Sequence, residues 1–173
     1  MDAVAKDSVG FARGDRVAFA VPRPSSASRL IVDERDLMGV PATVSLDAAA
    51  TLFPCASLAR SVVKQVHAVG AGDTVHLASE SAISPFVRAW IGHLGATETA
   101  DAAMADVVVT GADIRTARAW GSGHGVAQQA AADVFRAIHD GAFDAIALST
   151  PEQARNGSRT PVLLRPAEVT LAA

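Results

Sequence analysis

Residues 70–96, GAGDTVHLASESAISPFVRAWIGHLGA, restrict the fold more than any other part of this chain. A Gly-Asp turn leads into a short strand over residues 73–78, DTVHLA. A loop follows, and then a helix over 84–94, with Ser84 at its cap and Pro85 at its first position, where a missing N–H leaves nothing unsatisfied. Gly95 ends the helix. Strand, loop, helix and turn in this order make the first half of a parallel βαβ unit.

The flanking sequence extends this pattern. Residues 106–110, DVVVT, form the clearest strand, and the unbroken valine run suits a parallel sheet covered on both faces. Residues 128–140 read as a helix with Ala131, Val134, Phe135 and Ile138 on one face, and 145–149, AIALS, as a strand. Residues 96–104 fit a weak strand or a loop, and Gly121, Gly123 and Gly125 mark a loop. Upstream, GDRVAFAV (14–21) and SRLIVD (28–33) read as strands joined by the turn PRPSSAS (22–28). Asp33, Glu34, Arg35 and Asp36 form a solvated turn. Ser45 opens a helix with Asp47 in its first turn. Pro54 is expected to divide that helix into 46–53 and 55–69, closed by Gly70 and Gly72. The sum is an α/β fold with a mostly parallel sheet. A β piece over 1–45 precedes the main domain at 46–150, and a linker or edge segment, 151–173, follows.

Composition narrows the function. A chain of 173 residues holds one domain, or one domain plus a fragment, and 50% hydrophobic residues suffice for a core. With six Phe, two Trp and no Tyr, the core must come from Val, Leu, Ile and Ala, and the common tyrosine acid catalyst is excluded. Net charge is −3, and Lys6 and Lys64 are the only lysines, so no basic stripe for nucleic acid exists. No run of about 18 apolar residues suggests a membrane span, and MDAVAKDSVGF lacks the apolar stretch of a signal peptide. Lone Cys55 makes no internal disulfide. The expected location is the cytoplasm.

Residues that could carry chemistry are sparse. His67, His76, His93, His124 and His139 are scattered, without metal-ligand spacing, so no metal site is expected. His76, in mid-strand, reads as a satisfied, half-buried histidine, and Cys55 as core packing. Ser79 and Ser81 lack the glycines of a nucleophile elbow. GSGHG at 121–125 could cradle an anion through backbone N–H groups, but it follows no clear strand and reads as a flexible loop. A dinucleotide loop needs glycines to turn tightly, to let backbone approach the pyrophosphate, and to pack helix on strand. Here that loop is Ser79, Glu80, Ser81, Ala82, Ile83, Ser84 and Pro85. Pro85 lacks an N–H, and Glu80 places negative charge where phosphates would lie. No cofactor is expected.

The ordered strings "GDRVAFAV", "SRLIVDERDLMGVPATVSLDAAATLFPCASLARSVV", "VGAGDTVHLASESAISPFVRAWIGHLGA", "ADVVVTG" and "AAADVFRAIHDGAFDAIALS" resemble the enoylreductase domains of modular polyketide synthases, in the medium-chain dehydrogenase/reductase superfamily. The likeness covers roughly residues 10–150. Most of the family's substrate-binding piece is missing before GDRV. Few residues lie between Ala96 and Asp106, and the second half of the nucleotide sheet is largely gone between Gly111 and Gly125. The family's proton donors, a Tyr and a Lys/Asp pair after the glycine loop, have no counterpart. Lys64 precedes the first nucleotide strand, and Asp144-Ala145 replaces a closing Gly-Lys. The resemblance therefore implies a truncated Rossmann-like fold, preceded by a β remnant of the substrate domain, with no catalytic residues. It implies a non-catalytic pseudo-enoylreductase that organises neighbouring ketoreductase, dehydratase and acyl carrier protein domains. A docking or dimerisation module, as a homodimer or for a partner domain, through the 106–110 edge or the 160–172 segment, is the alternative. A residual NADPH-dependent enoyl-thioester reductase stands third.

Overall fold

The computed structural model describes residues 1, 3–6, 8–19, 30–120 and 124–147. Expectations for 20–29, Gly121, Gly123 and 148–173 lie outside these residues. The fold is mixed α/β, with a small parallel sheet, a separate antiparallel pair and a group of helices.

The antiparallel pair joins β1 (Val17–Phe19) to β2 (Leu37–Gly39), with Ala18 opposite Met38. The second strand thus lies downstream of the expected SRLIVD. Residues 30–33 are not in a strand, and Ile31 is 91% exposed. Asp33 instead accepts the Arg35 N–H and starts a 3-10 turn over Glu34–Asp36, while Leu37 and Met38 carry the buried side chains. The acidic cluster is a surface turn, and Glu34 Oε1 accepts the Gly10 N–H at 2.6 Å.

Helix α1 spans Leu46–Arg60, with the Ser45 hydroxyl accepting the Ala48 N–H. Pro54 does not break it. Proline deprives the carbonyl four residues earlier of its partner, but Ala50 and Pro54 both lie on the exposed side, where solvent can serve that carbonyl. Phe53 and Ala56, on either side of Pro54, are buried and hold the helix straight through. A π-helical segment, Ser61–Val66, continues it. The left-handed residue that closes this helix is Ala68 (φ 52°), rather than Gly70. By length and composition Leu46–Val66 could cross a membrane, but 56% of the apolar window is already buried inside the protein, as in a core helix.

Strands β3 (Thr74–Leu77), β4 (Thr97–Glu98) and β5 (Val107–Val109) form the parallel sheet in the order β4-β3-β5. Helix α2 (Ser84–His93) connects β3 to β4, and Gly95, at φ 75°, makes the turn after it. Residues 96–104, indistinct in sequence, hold β4 and a 3-10 turn, Ala102–Met104. Helix α3 (Gly111–Trp120) was not anticipated. Helix α4 (His124–His139) begins earlier than expected and takes Gly125 out of the glycine loop.

The core gathers on one side of the sheet. α1 packs against α2, α3 and α4. Phe53 stacks on Phe135 at 4.9 Å, and the buried Arg60 reaches Asp133 of α4 with Nε–Oδ2 2.9 Å. Ala131, Val134 and Phe135 are buried as expected, with Ile138 packed beside them. Val75 and Val109 are buried on the helix side, whereas Val108, on the opposite face, is 36% exposed. The sheet is parallel, but among the described residues no helix covers its second face, because the β4–β5 connection over residues 99–106 contains a single 3-10 turn instead of a helix. The expected strand at 145–149 does not begin at Ala145, Ile146 or Ala147. The chain turns after α4 and sets Phe143 against Phe86 and Trp90 of α2, each at 5.8 Å.

Candidate functional site

In open α/β sheets, ligands bind beyond the carboxyl ends of strands, where neighbouring connections diverge. Here that place lies between the β3–α2 loop and the start of α3. The Ala78 N–H bonds to the Val109 carbonyl at 2.9 Å, tying the two strand ends together.

The loop residues Ser79, Glu80, Ser81, Ala82, Ile83, Ser84 and Pro85 lie together here, as the sequence implied, but their roles differ in detail. Ser84 is the first residue of α2 instead of its cap, and Ile83 precedes it without a side-chain cap. Ser84 is 2% exposed, and its hydroxyl turns back to accept the Ser81 N–H at 2.9 Å. The hydroxyls of Ser81 and Ser84 lie 3.2 Å apart.

An anion at a helix N-terminus needs N–H groups that point outward with no other partner. In α2, the Ser84 N–H bonds to the Ser81 carbonyl at 3.1 Å. Pro85 has no N–H. The Phe86 and Val87 N–H groups both bond to the Ile83 carbonyl, at 2.9 and 3.0 Å. The first turn of α2 is therefore closed on itself. These residues do not fit a dinucleotide's pyrophosphate.

Charge at the loop points the same way. Arg88 of α2 binds Glu80 through Nη1 and Nη2, the former at 3.2 Å, and Glu98 through Nε at 2.9 and 3.0 Å. The hydrogen bond from Arg88 holds the exposed Glu80 carboxyl below its ordinary range. The bond to Glu80, with Glu98 beside it, pushes the guanidinium still further up. Sequence reasoning singled out Glu80 but missed both partners, since nothing local links 80, 88 and 98.

At the start of α3, the Thr110 N–H and hydroxyl both donate to Asp113 Oδ2, each at 2.7 Å. Burial pushes the Asp113 carboxyl up, but these bonds and the nearby His67 outweigh it and hold it below the usual value. His67 Nε2 lies 3.4 Å from Asp113 Oδ2. That nitrogen is buried with no hydrogen bond of good geometry, so the contact is one of proximity. Thr-x-x-Asp is a capping-box pattern that could have revealed α3 from sequence.

Other candidates fall away from this place. His76 Nδ1 lies 3.0 Å from the Thr99 carbonyl, the satisfied, half-buried histidine expected of it. Cys55 packs against the core; burial pushes its thiol up, with Arg118 opposing, so it is not an activated thiolate. His93 lies edge-on to Trp90 at 5.5 Å. Among the described residues no group of acidic, His and Cys side chains could hold a metal. Comparison with family models, with curated proteins and with solved structures finds no match to this chain.

Proposed function

We propose that this chain is a non-catalytic structural domain, a truncated Rossmann-like pseudo-enoylreductase of a cytoplasmic modular polyketide synthase. In this reading it holds neighbouring ketoreductase, dehydratase and acyl carrier protein domains in place. The observation that carries it is the internally bonded first turn of α2, which leaves Ser84, Phe86 and Val87 no N–H for a phosphate. A packed core around Trp90, Phe53 and Phe86 beside such a loop favours a chain kept for its shape. The strand order β4-β3-β5, with α2 as the first crossover, suits half of a doubly wound sheet. Titration of NADPH into the chain by calorimetry tests the reading: no binding is expected, and micromolar affinity would overturn it. Reduction of a crotonyl thioester by the isolated chain would revive the reductase.

The docking or dimerisation reading draws on β5. Among the described residues no strand pairs along its outer side, and Val108 beside that edge is exposed on the sheet face away from the helices. Light scattering separates the two ideas. A concentration-dependent dimer that Val108→Lys abolishes favours self-association through this edge, and a monomer at all concentrations removes it.

A further inference from the structure

We propose that Glu80, Arg88 and Glu98 form an internal clamp that keeps the β3–α2 loop closed without any ligand. This inference rests on geometry alone and holds whatever domains neighbour the chain. The three residues come from three different pieces of the fold: Glu80 from the loop, Arg88 from the second turn of α2, and Glu98 from the end of β4. Isolated surface ion pairs contribute little, because long side chains must be ordered and water screens them. Here all three guanidinium nitrogens are engaged: Nη1 and Nη2 bind the two oxygens of Glu80 as a bidentate pair, and the single Nε–H is shared between both oxygens of Glu98. Such bidentate geometry and a shared cation are the conditions under which surface pairs do matter.

The base of the clamp is rigid. Trp90, one turn on from Phe86, is 2% exposed and donates its Nε1–H to the Ala56 carbonyl at 2.8 Å, which fixes α2 on α1. Arg88 therefore projects from an anchored helix, and its two partners are drawn to it. Inside the loop, Ser84 holds the Ser81 N–H. A ligand-gated loop lacks such internal partners and closes when its ligand arrives; this one supplies both the cation and the anions itself. With two carboxylates around one guanidinium, the clamp carries a net negative charge that turns anions away.

Amide hydrogen exchange on the full chain tests the clamp. Arg88→Gln should speed exchange at the Ser81 and Ser84 amides about fivefold, a change on the scale of one such interaction network. The Val75 and Val109 amides, in the sheet, should keep their rates. Arg88→Lys keeps the charge but not the fork and should fall between, and 1 M salt should act on the native chain in the same direction as Arg88→Gln. If Arg88→Gln fails to fold, Glu80→Gln breaks the same clamp from a fully exposed position and should give the same local acceleration. Native exchange rates at Ser81 and Ser84 in these variants would overturn the clamp. So would equal acceleration at Val75, which would mean global loosening.

Discussion

Ala68 sits at φ 52°, the left-handed region, in a position where glycine is the usual residue. The fold imposes this. The Val69 N–H reaches back to the Val63 carbonyl at 2.7 Å and the His67 N–H to the Val62 carbonyl at 3.2 Å, which closes the π-helical end in a wide version of the common helix-terminating turn. Val69 is 2% exposed and cannot be released without opening the core. A left-handed L-residue costs about 1–2 kcal/mol. Glycine removes that strain, but its freer unfolded chain offsets about 0.5–1 kcal/mol. The Ala68 methyl is exposed, so its loss leaves no cavity. Ala68→Gly should therefore stabilise the protein by about 0.5–1 kcal/mol, a rise in Tm of about 1–4 °C for a domain of this size. Urea denaturation followed by circular dichroism reads this as a higher midpoint at unchanged slope. Ala68→Val should lower the midpoint. An unchanged or lower midpoint for Ala68→Gly would refute the assignment of strain to this residue.

Two further outcomes follow from groups already placed. Asp133→Ala leaves the buried Arg60 without its partner; a fully buried broken pair costs about 3–5 kcal/mol, and since Asp133 is 36% exposed about 2 kcal/mol is expected here. Adding Arg60→Met should recover most of the loss, and failure to do so in a double-mutant cycle would show that the pair is not what joins α1 to α4. Asp113 is held below its ordinary value, so its contribution to stability is complete above about pH 4 and fades as the pH falls through its lower folded value. Asp113→Asn should be about 0.5–1 kcal/mol less stable at pH 7, and the gap should narrow as the pH falls below about 4, as judged by thermal melts; a gap that does not change with pH would exclude the charge as the cause.

The parts of the fold with a strong local signal were legible in the sequence. Val75 to Leu77 and the apolar face of α4 matched the period of their elements, and the valine run marked β5 as a strand although it overstated how far that strand is buried. What escaped depended on surroundings. Pro54 survives inside α1 because it and Ala50 lie on the exposed side of the helix, and the sequence around them does not state which side that is. β2 settled on Leu37–Gly39 because those side chains reach the core, although residues 30–33 carry the stronger β propensity. α3 was hidden by its opening glycine and the glycine run that follows, despite the Thr110-x-x-Asp113 pair. That the β3–α2 loop carries no glycine, and a proline at its end, was visible in its residue types. Its closure was not, since Ser84 pointing backwards and Arg88 joining 80 to 98 are facts of three-dimensional placement.

The π-helical segment sets a rule for changes in chain length. Along Ser61–Val66 the residues that fall in line are five apart rather than four, as the bond between the His67 N–H and the Val62 carbonyl records. Deleting one residue there would return the backbone to ordinary α-helical spacing, and locally it would be no worse formed. It would also turn everything beyond it through part of a revolution relative to Phe53 and Arg60, and pull Val62 and Val63, both fully buried, out of register with the helices that enclose them. The extra residue is thus a phase setting between the two ends of the central helix.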